Sequence, residues 1–583
     1  MYRHKRNQLY VRAAFMAMLS LGATSPSHNC HKPSCRYLPG DADWPSEKKW
    51  NRLNHTTGGK LIRGAPLAEP CYSPESAFGS DMCDSIRDGW ALPETYYDDP
   101  VGVMSPYWLN DSCSPFAASS VGCSLGNLAA YALEIDSATT AAAGLKFAQQ
   151  NNIRLSIKNT GHDYVGRSSG QGSLALWTHN LKDVAFVNYT SPYYTGPAIR
   201  AGAGVQFSEV YATAASHGLR VVGGYCPSVG MAGGYVQSGG YGPLAASYGL
   251  AADNALEFEV VTVDGRHLVA SPTENSDLYW ALSGSGAGNY AVVLSLTTKA
   301  HTDGPTAGAS LAFANTDPVA YWAAVGAFQS HLLVLDDIPG FATSWGLDNQ
   351  FFSLDVATLP GGLPSDIEAA LDPFVQKLKD LGLPLIKYNT TIYPSFYTHF
   401  QHYTFPPEIY ATNNTLGGRL IQHSTVKNSL SELLDAFREI AENADYPVKR
   451  ISGNTINVAR KHILQAPGRN SVLPAWREAL YSLNVGISYS SDAAPEELRV
   501  IQRQVNEWQQ LFSPITPGGG AYVNEATFDN PDWKIDYFGE NYDKLLKIKK
   551  KYDPEFALWQ HTSVGADAYW EVARDGRLCR VRN

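Results

Sequence analysis

The chain has little charge and no excess of positive charge. Its 583 residues include 45 Lys and Arg against 55 Asp and Glu, so the formal net charge is −10. An acidic balance disfavours partners with a phosphate backbone, and we expect no nucleic-acid partner. Internal repeats and low-complexity tracts are also missing from the sequence. An apolar content of 44% is typical of globular proteins, and the length predicts more than one core.

Long hydrophobic runs are scarce, which predicts no membrane-spanning segment. The apolar run at 13–19 is too short to cross a bilayer. Basic residues precede it and small residues follow at 22–25, an order typical of a secretory signal peptide. We therefore expect a secreted glycoprotein. Five Asn-X-Ser/Thr triplets agree with export and begin at Asn54, Asn110, Asn188, Asn389 and Asn413.

Two glycine-rich turns carry the residues best suited to hold a cofactor. His162 lies in Lys-Asn-Thr-Gly-His-Asp at 158–163, and Cys226 lies in the turn at 223–234. Each turn follows a strand pattern, and glycine lets the backbone approach a flat or anionic ligand. Imidazole and thiolate can both bond to an electrophilic cofactor. One such residue alone usually indicates core packing, but two in matching turns favour a cofactor site.

With these motifs the chain resembles the flavin-linked oxidases of the vanillyl-alcohol oxidase superfamily. Within that superfamily it is most similar to the fungal secreted members of the berberine-bridge-enzyme-like group. The likeness is densest at 125–300 and 515–570. The resemblance implies FAD bonded twice, through its 8α-methyl group to His162 and through C6 to Cys226. It also implies a small-molecule substrate and O₂ as partners, and it leaves the oligomeric state open.

The resemblance implies an α+β fold. A two-part FAD-binding domain of the PCMH type is expected to enclose an inserted substrate domain, an antiparallel sheet covered by helices. Strand and helix patterns alternate at 138–222, where they predict a helix at 138–150 and strands at 153–157 and 219–222. Together with a predicted hairpin at 258–269, which has an Asp-Gly turn, they agree with packed layers. The expected parts are a signal peptide at 1–25, an irregular wrapping segment at 26–120, the FAD domain at 121–303, the substrate domain at 304–512 and a berberine-bridge-like return to the FAD domain at 513–583.

Two further patterns suggest a ligand site at first sight but do not predict one. The glycines at 284, 286 and 288 have the wrong spacing for a dinucleotide fingerprint and follow a helix-like segment, so no nicotinamide site is predicted. The basic run at 547–551 lies in a helical pattern and predicts a solvated helix face. No metal site is predicted.

The resemblance implies further contacts with the flavin. The predicted contacts in the two turns are Thr160, Gly161, Asp163, Gly230, Gly233 and Gly234, where backbone N–H groups suit the pyrophosphate and the ring. Ser168 is a further contact, unless its hydroxyl only satisfies the local backbone. Tyr241 stands where relatives usually have histidine, so its contacts with the ring are expected to differ. Asn524 is expected to support the flavin.

Three residues are predicted to act in catalysis. In relatives, the residue three after the flavin cysteine lies near the reactive C4a atom, and the valine found here, Val229, goes with oxidases. Plant relatives place a tyrosine at the fourth position of Tyr-X-Asn-Tyr, where this chain has Glu525. A carboxylate shielded from water has a raised pKa and can act as a base. The alternative is a surface or backbone-bonded Glu, in which case Tyr522 is the next candidate.

The cysteine count fits an oxidising compartment. If Cys226 holds flavin, seven of the eight cysteines remain, so at least one is unpaired. Local bridges are predicted between Cys71 and Cys83 and between Cys113 and Cys123. Cys30, Cys35 and Cys579 are then left, and the sequence does not fix their connectivity.

The resemblance implies a secreted FAD-dependent oxidase. Such an enzyme takes hydride from an alcohol, a sugar or a secondary metabolite onto flavin N5 and reduces O₂ to H₂O₂. The alternative is a flavoprotein cyclase of secondary metabolism that uses FAD as a scaffold for a non-redox or oxidative ring closure. A binding-only role is disfavoured because both attachment residues are present. The segment 304–512 carries no motif that identifies the substrate.

Overall fold

The computed structural model describes residues 35–72, 81–104, 112–117, 122–404, 413–459 and 469–581. The predicted signal peptide, Cys30 and Asn110 lie outside these residues. Within them, the strands form three larger sheets and two two-stranded pairs.

The first sheet leads directly into the His162 turn. Its strands are β1 (Leu61–Arg63), β2 (Tyr131–Glu134), β3 (Arg154–Lys158) and β4 (Ser173–Trp177), in the order β1-β2-β4-β3. Strands β2, β4 and β3 run parallel, and β1 is antiparallel to β2. The predicted helix is present at Ala138–Gln150, where the Ser137 hydroxyl accepts a hydrogen bond from the Thr140 N–H and so satisfies a first-turn donor.

The second sheet is antiparallel, in the order β5-β6-β10-β8-β9. The strands from this part of the chain are β5 (Val184–Thr190), β6 (Thr195–Gly202), β7 (Leu219–Arg220), β8 (Ala255–Thr262), β9 (His267–Ala270), β10 (Ala291–Lys299) and β11 (His301–Thr302). The predicted hairpin is β8–β9, and Gly265 at its turn has φ +83°. The strand predicted at 219–222 shrinks to β7, which pairs with β11, because the chain then leaves the sheet to form the Cys226 turn.

The third sheet has seven antiparallel strands in the order β15-β12-β14-β13-β17-β18-β16. Its strands are β12 (Thr306–Ala314), β13 (Ala342–Leu347), β14 (Phe351–Pro360), β15 (Leu385–Tyr393), β16 (Asn414–Gln422), β17 (Lys449–Thr455) and β18 (Ala479–Ser488). Four helices share an apolar core with it, namely Pro318–Asp336, Pro364–Asp380, Leu430–Glu442 and Pro495–Leu511. This sheet confirms the predicted α+β fold class, while the domain boundaries stay a prediction.

The two faces of the seven-stranded sheet differ in polarity. Ile451 and Val485 belong to the core shared with the helices. Ser452 and Asn454 alternate with the core residues along β17, and Asn484 is the register partner of Ser452 on β18. Because side chains alternate across a strand, these polar residues share the opposite face. This polar face of the sheet lines a cavity.

The remaining helices connect the sheets. They are Glu47–Thr56, Asp81–Gly89, Glu94–Tyr97, Phe207–Ala215, Ala245–Tyr248, Ala251–Asn254, Ser276–Leu282, Phe396–Thr404, His423–Asn428, Trp533–Phe538 and Tyr542–Tyr552. A final pair, β19 (Trp570–Val572) and β20 (Leu578–Arg580), lies near the C-terminus. The wrapping segment was expected to be irregular, and this was wrong for Glu47–Thr56, because Trp50 and Leu53 provide an apolar face that packs into the core of the first sheet.

Two other sequence expectations need correction. The helix Pro318–Asp336 is long and apolar enough to cross a membrane by length and composition, although no such stretch was expected. Its side chains, such as Phe328 and Leu332, are buried in the core of the seven-stranded sheet. In the basic run, Lys549 is buried rather than solvated, because its Nζ donates to Asp553 Oδ2 at 2.7 Å and to the Leu558 carbonyl at 2.7 Å.

Three disulfides join described residues. Both predicted local bridges, Cys71–Cys83 and Cys113–Cys123, are present. The third, Cys35–Cys579, joins positions 544 residues apart and could not be assigned from the sequence. Cys226 takes part in none of the three.

Candidate functional site

A cavity of about 620 Å³ lies where the first two sheets meet the polar face of the seven-stranded sheet. Every residue predicted for the site lines it: Thr160, Gly161, His162, Asp163, Ser168, Cys226, Val229, Gly230, Gly233, Gly234, Tyr241, Tyr522, Asn524 and Glu525. Segments up to about 365 residues apart are thus brought to one space, and their roles there remain proposals.

The His162 turn is shaped by its own backbone and by Asp163. Gly161 has φ +91°, a conformation that favours glycine, and its carbonyl accepts from the Met104 N–H at 2.9 Å. The Asp163 carboxylate accepts from the Val165 N–H at 3.1 Å and from the Ser168 N–H at 2.7 Å. Asp163 therefore fixes the loop that presents His162 to the cavity.

His162 is held as a neutral imidazole. Burial, together with the nearby Lys158 ammonium, lowers the pKa of His162 to about 3. Its Nε2 lies 2.7 Å from Ser228 Oγ. Lys158 itself is buried, where its Nζ donates to the Tyr96 and Asp99 carbonyls at 2.9 and 2.6 Å. An imidazole that stays neutral keeps a lone pair for bond formation.

The Cys226 turn is anchored on the start of the helix Phe207–Ala215. The Ser208 N–H donates to the Pro227 carbonyl at 2.9 Å, and the Phe207 N–H donates to the Val229 carbonyl at 3.2 Å. Cys226 is exposed toward the cavity. A π-helical turn at Met231–Tyr235 follows. The backbone of the turn is thus held by the helix, while the Cys226 side chain faces the cavity.

Glu525 is part of a polar cluster next to the seven-stranded sheet. Its Oε2 accepts from Tyr241 Oη at 2.6 Å and from Asn484 Nδ2 at 3.1 Å. Asn454 Nδ2 donates to Tyr241 Oη at 3.2 Å. Burial raises the pKa of the Glu525 carboxyl, and the two hydrogen bonds oppose that rise. The carboxylate thus contacts side chains of the cavity, unlike a surface Glu.

Asn524 and Tyr522 connect the C-terminal segment to the glycine turn. Asn524 Nδ2 donates to the Gly234 carbonyl at 2.9 Å and to Tyr522 Oη at 2.8 Å, and its Oδ1 accepts from Ser238 Oγ at 2.9 Å. Tyr522 is buried, with its ring 5.4 Å from that of Tyr241. Asn524 thus holds the turn beside the predicted flavin position.

Sequence reasoning missed several cavity residues. Asn454 and Asn484 could have been found, because Asn454 lies in a strand whose residues alternate between buried and partly exposed, and Asn484 is a polar residue in a largely buried strand. Ser228 lies inside the cysteine motif, yet no sequence signal relates it to His162. Gln237 and Gln560 also line the cavity and carry no motif.

Several hydrogen-bond acceptors in the cavity have no partner within the described ranges of the protein, and a flavin carries donors that can bind them. Asn159 Oδ1, Gln237 Oε1 and Gln560 Oε1 are buried and have no hydrogen-bond partner among the described residues. Leaving such an acceptor unpaired costs about 1–3 kcal/mol. The ring N3–H and the ribityl hydroxyls of a flavin are donors that can satisfy them. No group of three or more metal-ligating side chains occurs in the part of the chain that the structure describes.

The comparisons with known proteins agree with this geometry. A family model for an FAD binding domain matches residues 129–271, and one for berberine and berberine-like proteins matches residues 521–565. A VAO-type flavoprotein oxidase of Thermothelomyces thermophilus is 41% identical over 588 residues, covering 98% of this chain and 100% of that protein. The chain belongs to the VAO-type, berberine-bridge-like FAD-linked oxidoreductases. The predicted family and enzyme class are confirmed.

Other relatives show the range of this family. The crystal structure of a VAO-type flavoprotein from Myceliophthora thermophila C1 has a TM-score of 0.88 and 41% identity, covering 94% of this chain and all of that one. A bifunctional decalin synthase of Penicillium decumbens is 37% identical over 578 residues, covering 97% of this chain and 99% of that protein. A glucooligosaccharide oxidase from Acremonium strictum, described with 6-S-cysteinyl, 8α-N1-histidyl FAD, shares the fold at 19% identity and a TM-score of 0.62, over 76% of this chain and 92% of that one.

Proposed function

We propose that this FAD-linked oxidoreductase is a secreted oxidase with doubly attached FAD that oxidises an alcohol, a sugar or a secondary metabolite. One observation carries the proposal: His162, Cys226 and the half-buried Glu525 line the same cavity. When bound, FAD accepts hydride at N5 and passes the electrons to O₂, which becomes H₂O₂. The protein supplies attachment, position and a proton acceptor.

Different residues of the cavity have different proposed roles. His162 and Cys226 anchor the ring, and the Asn159 amide is a partner for its polar edge. Glu525 removes the proton of the substrate hydroxyl, and Tyr241 and Asn484 fix its carboxylate in place. Because the pKa of Glu525 is raised, its carboxyl group loses its proton at a higher pH than an ordinary carboxyl group does. We expect flavin reduction to slow as the pH falls through that raised pKa.

Replacing Tyr241 should change this pH dependence. Tyr241→Phe removes a hydrogen bond that favours the charged carboxylate, so the pKa of Glu525 rises further and the acid limb of flavin reduction moves to higher pH. The measurement is the rate of anaerobic flavin reduction against pH. Tyr225→Phe is the control, because Tyr225 lies beside the Tyr241 ring without a hydrogen bond to Glu525 among the described contacts. An unshifted acid limb in Tyr241→Phe contradicts the role of Tyr241.

Val229 is proposed to leave room for oxygen. Its side chain lines the cavity and is half-buried. Val229→Leu should slow reoxidation of the reduced flavin in air while sparing anaerobic reduction by substrate. The same enlargement in Val356→Leu, on the substrate-domain wall, is the control for cavity volume. Equal reoxidation rates in Val229→Leu and the parent show that Val229 does not control access.

A cyclase is the second candidate, favoured by the similarity to the bifunctional decalin synthase. The two functions differ in what happens to the flavin. An oxidase substrate bleaches the flavin under nitrogen and air restores the colour, whereas a non-redox ring closure leaves the absorbance unchanged. A panel of alcohols, sugars and polyketide-like alcohols, assayed for bleaching and peroxide, separates them.

Secretion is supported by the three disulfides and by exposed sequons. Asn188 and Asn389 are exposed, and Asn54 and Asn413 are partly exposed. Expression in a fungal host should place the protein in the medium, starting after about residue 25. A glycosidase should reduce its mass there. Retention in the cell with no glycan contradicts this part of the proposal.

A further inference from the structure

We propose that Ser228 is a positioning residue for flavin attachment at His162, an inference that rests on the proposed covalent function. Ser228 stands two residues after Cys226, so the turn that carries one attachment residue also contacts the other. Ser228 Oγ lies 2.7 Å from His162 Nε2, and the two side chains are 66 residues apart in sequence. The two attachment sites are therefore coupled through one hydrogen bond.

The backbone of Ser228 is held by the neighbouring helix. Its carbonyl accepts from Gln206 Nε2 at 2.8 Å. Gln206 begins the helix Phe207–Ala215, and its N–H donates to Glu209 Oε2 at 2.7 Å in a capping box. Ser228 is buried, and the turn beside it is bound to the same helix start by the Phe207 and Ser208 N–H groups. A side chain on a backbone held in this way can fix the orientation of the imidazole ring.

The hydrogen bond selects which imidazole nitrogen reacts. A neutral imidazole has one N–H and one lone pair. When Nε2–H donates to Ser228 Oγ, the lone pair is on Nδ1, so Nδ1 is the nitrogen that can form the proposed bond to the flavin 8α carbon. A hydroxyl both donates and accepts, so Ser228 can donate to Nε2 once that nitrogen has lost its proton. The same contact thus serves the histidine before and after attachment.

The attachment step balances with O₂ as the oxidant. The bond formed joins His162 Nδ1 to the 8α carbon, and the bond broken is one C–H of the 8α methyl group. That hydrogen leaves as a proton, as does the hydrogen on Nε2. Two electrons and these two protons convert O₂ to H₂O₂. Ser228 contributes no atom to the product, and its effect is on the orientation and protonation of the imidazole.

Two substitutions of equal shape test the hydroxyl itself. Both variants add one methyl group to serine; Ser228→Thr keeps the hydroxyl, and Ser228→Val has a methyl group in its place, so the two variants have the same shape and differ only in the hydroxyl. Full-length proteins are purified with FAD, and flavin mass is quantified on the peptides with His162 and Cys226 over time. We expect Thr to match the parent and Val to slow attachment at His162 roughly tenfold, the worth of one hydrogen bond, while Cys226 remains occupied.

The outcomes separate this inference from the proposed function. A parent protein without flavin on His162 contradicts the proposed covalent attachment. A parent with flavin on His162, together with equal His162 occupancy in the Thr and Val variants, overturns the role of Ser228. Ser208→Ala removes a nearby hydroxyl while leaving the His162–Ser228 contact in place, and it should attach flavin as the parent does.

Discussion

Glu525→Gln should lower the rate of anaerobic flavin reduction by roughly 10²–10⁴-fold, the usual contribution of a general base. The substitution keeps the shape of the side chain and its contacts with Tyr241 and Asn484, but an amide cannot take the proton of the substrate hydroxyl. The acid-side pH dependence should flatten as well, because the group that titrates is gone. Stopped-flow absorbance of the flavin under nitrogen measures both effects.

The control for this prediction is Glu571→Gln, the same change at an exposed position. The flavin spectrum and its covalent links should persist in both variants, since neither attachment residue is altered. A near-normal rate of flavin reduction in Glu525→Gln moves the proton transfer to another group. Tyr522, buried beside Tyr241, is then the first to test.

Removing both attachment residues should release the flavin completely. Acid-denatured parent protein should stay yellow, and peptides with His162 and Cys226 should each carry flavin mass. His162→Ala should keep only the cysteinyl link and Cys226→Ala only the histidyl link, because each bond uses a different flavin position. The double variant should lose all flavin to the supernatant on acid precipitation.

The control is His217→Ala, which removes an exposed histidine away from the cavity. It should retain both links. Full release of flavin from the acid-denatured parent contradicts covalent attachment and leaves a non-covalent cofactor in the same cavity. Release from only one single variant shows that one link is present rather than two.

The flavin side of the site could be predicted because its signals are local. Glycines and strand patterns next to one another in sequence place His162 and Cys226 in tight turns, and the cavity contains both. The same holds for the hairpin β8–β9, whose Asp-Gly turn is a two-residue signal. Local patterns fix local backbone shape, and family motifs then relate the segments to each other.

The contacts of Glu525 could not be predicted in the same way, because they join residues that are distant in sequence. Tyr241 and Glu525 are 284 positions apart, and Asn484 donates to the same carboxylate from β18 of the seven-stranded sheet. The contacts of Tyr241 with the ring were expected to differ from those of the histidine in relatives, and nothing in the sequence indicates that its hydroxyl donates to Glu525. The burial of Lys549 was missed because a run of lysines usually indicates a solvated helix face. Its partner Asp553 lies just beyond the end of the helix, so the run itself gives no sign of the ion pair.

Oxygen reactivity tests most directly whether the protein is an oxidase, and it needs no knowledge of the substrate. The purified protein is reduced under nitrogen with one equivalent of dithionite per flavin and then mixed with air-saturated buffer. We expect a rapid return of the oxidised flavin spectrum with one H₂O₂ formed per flavin, and a slower return in Val229→Leu. A flavin that stays reduced in air, with no peroxide released, contradicts an oxidase.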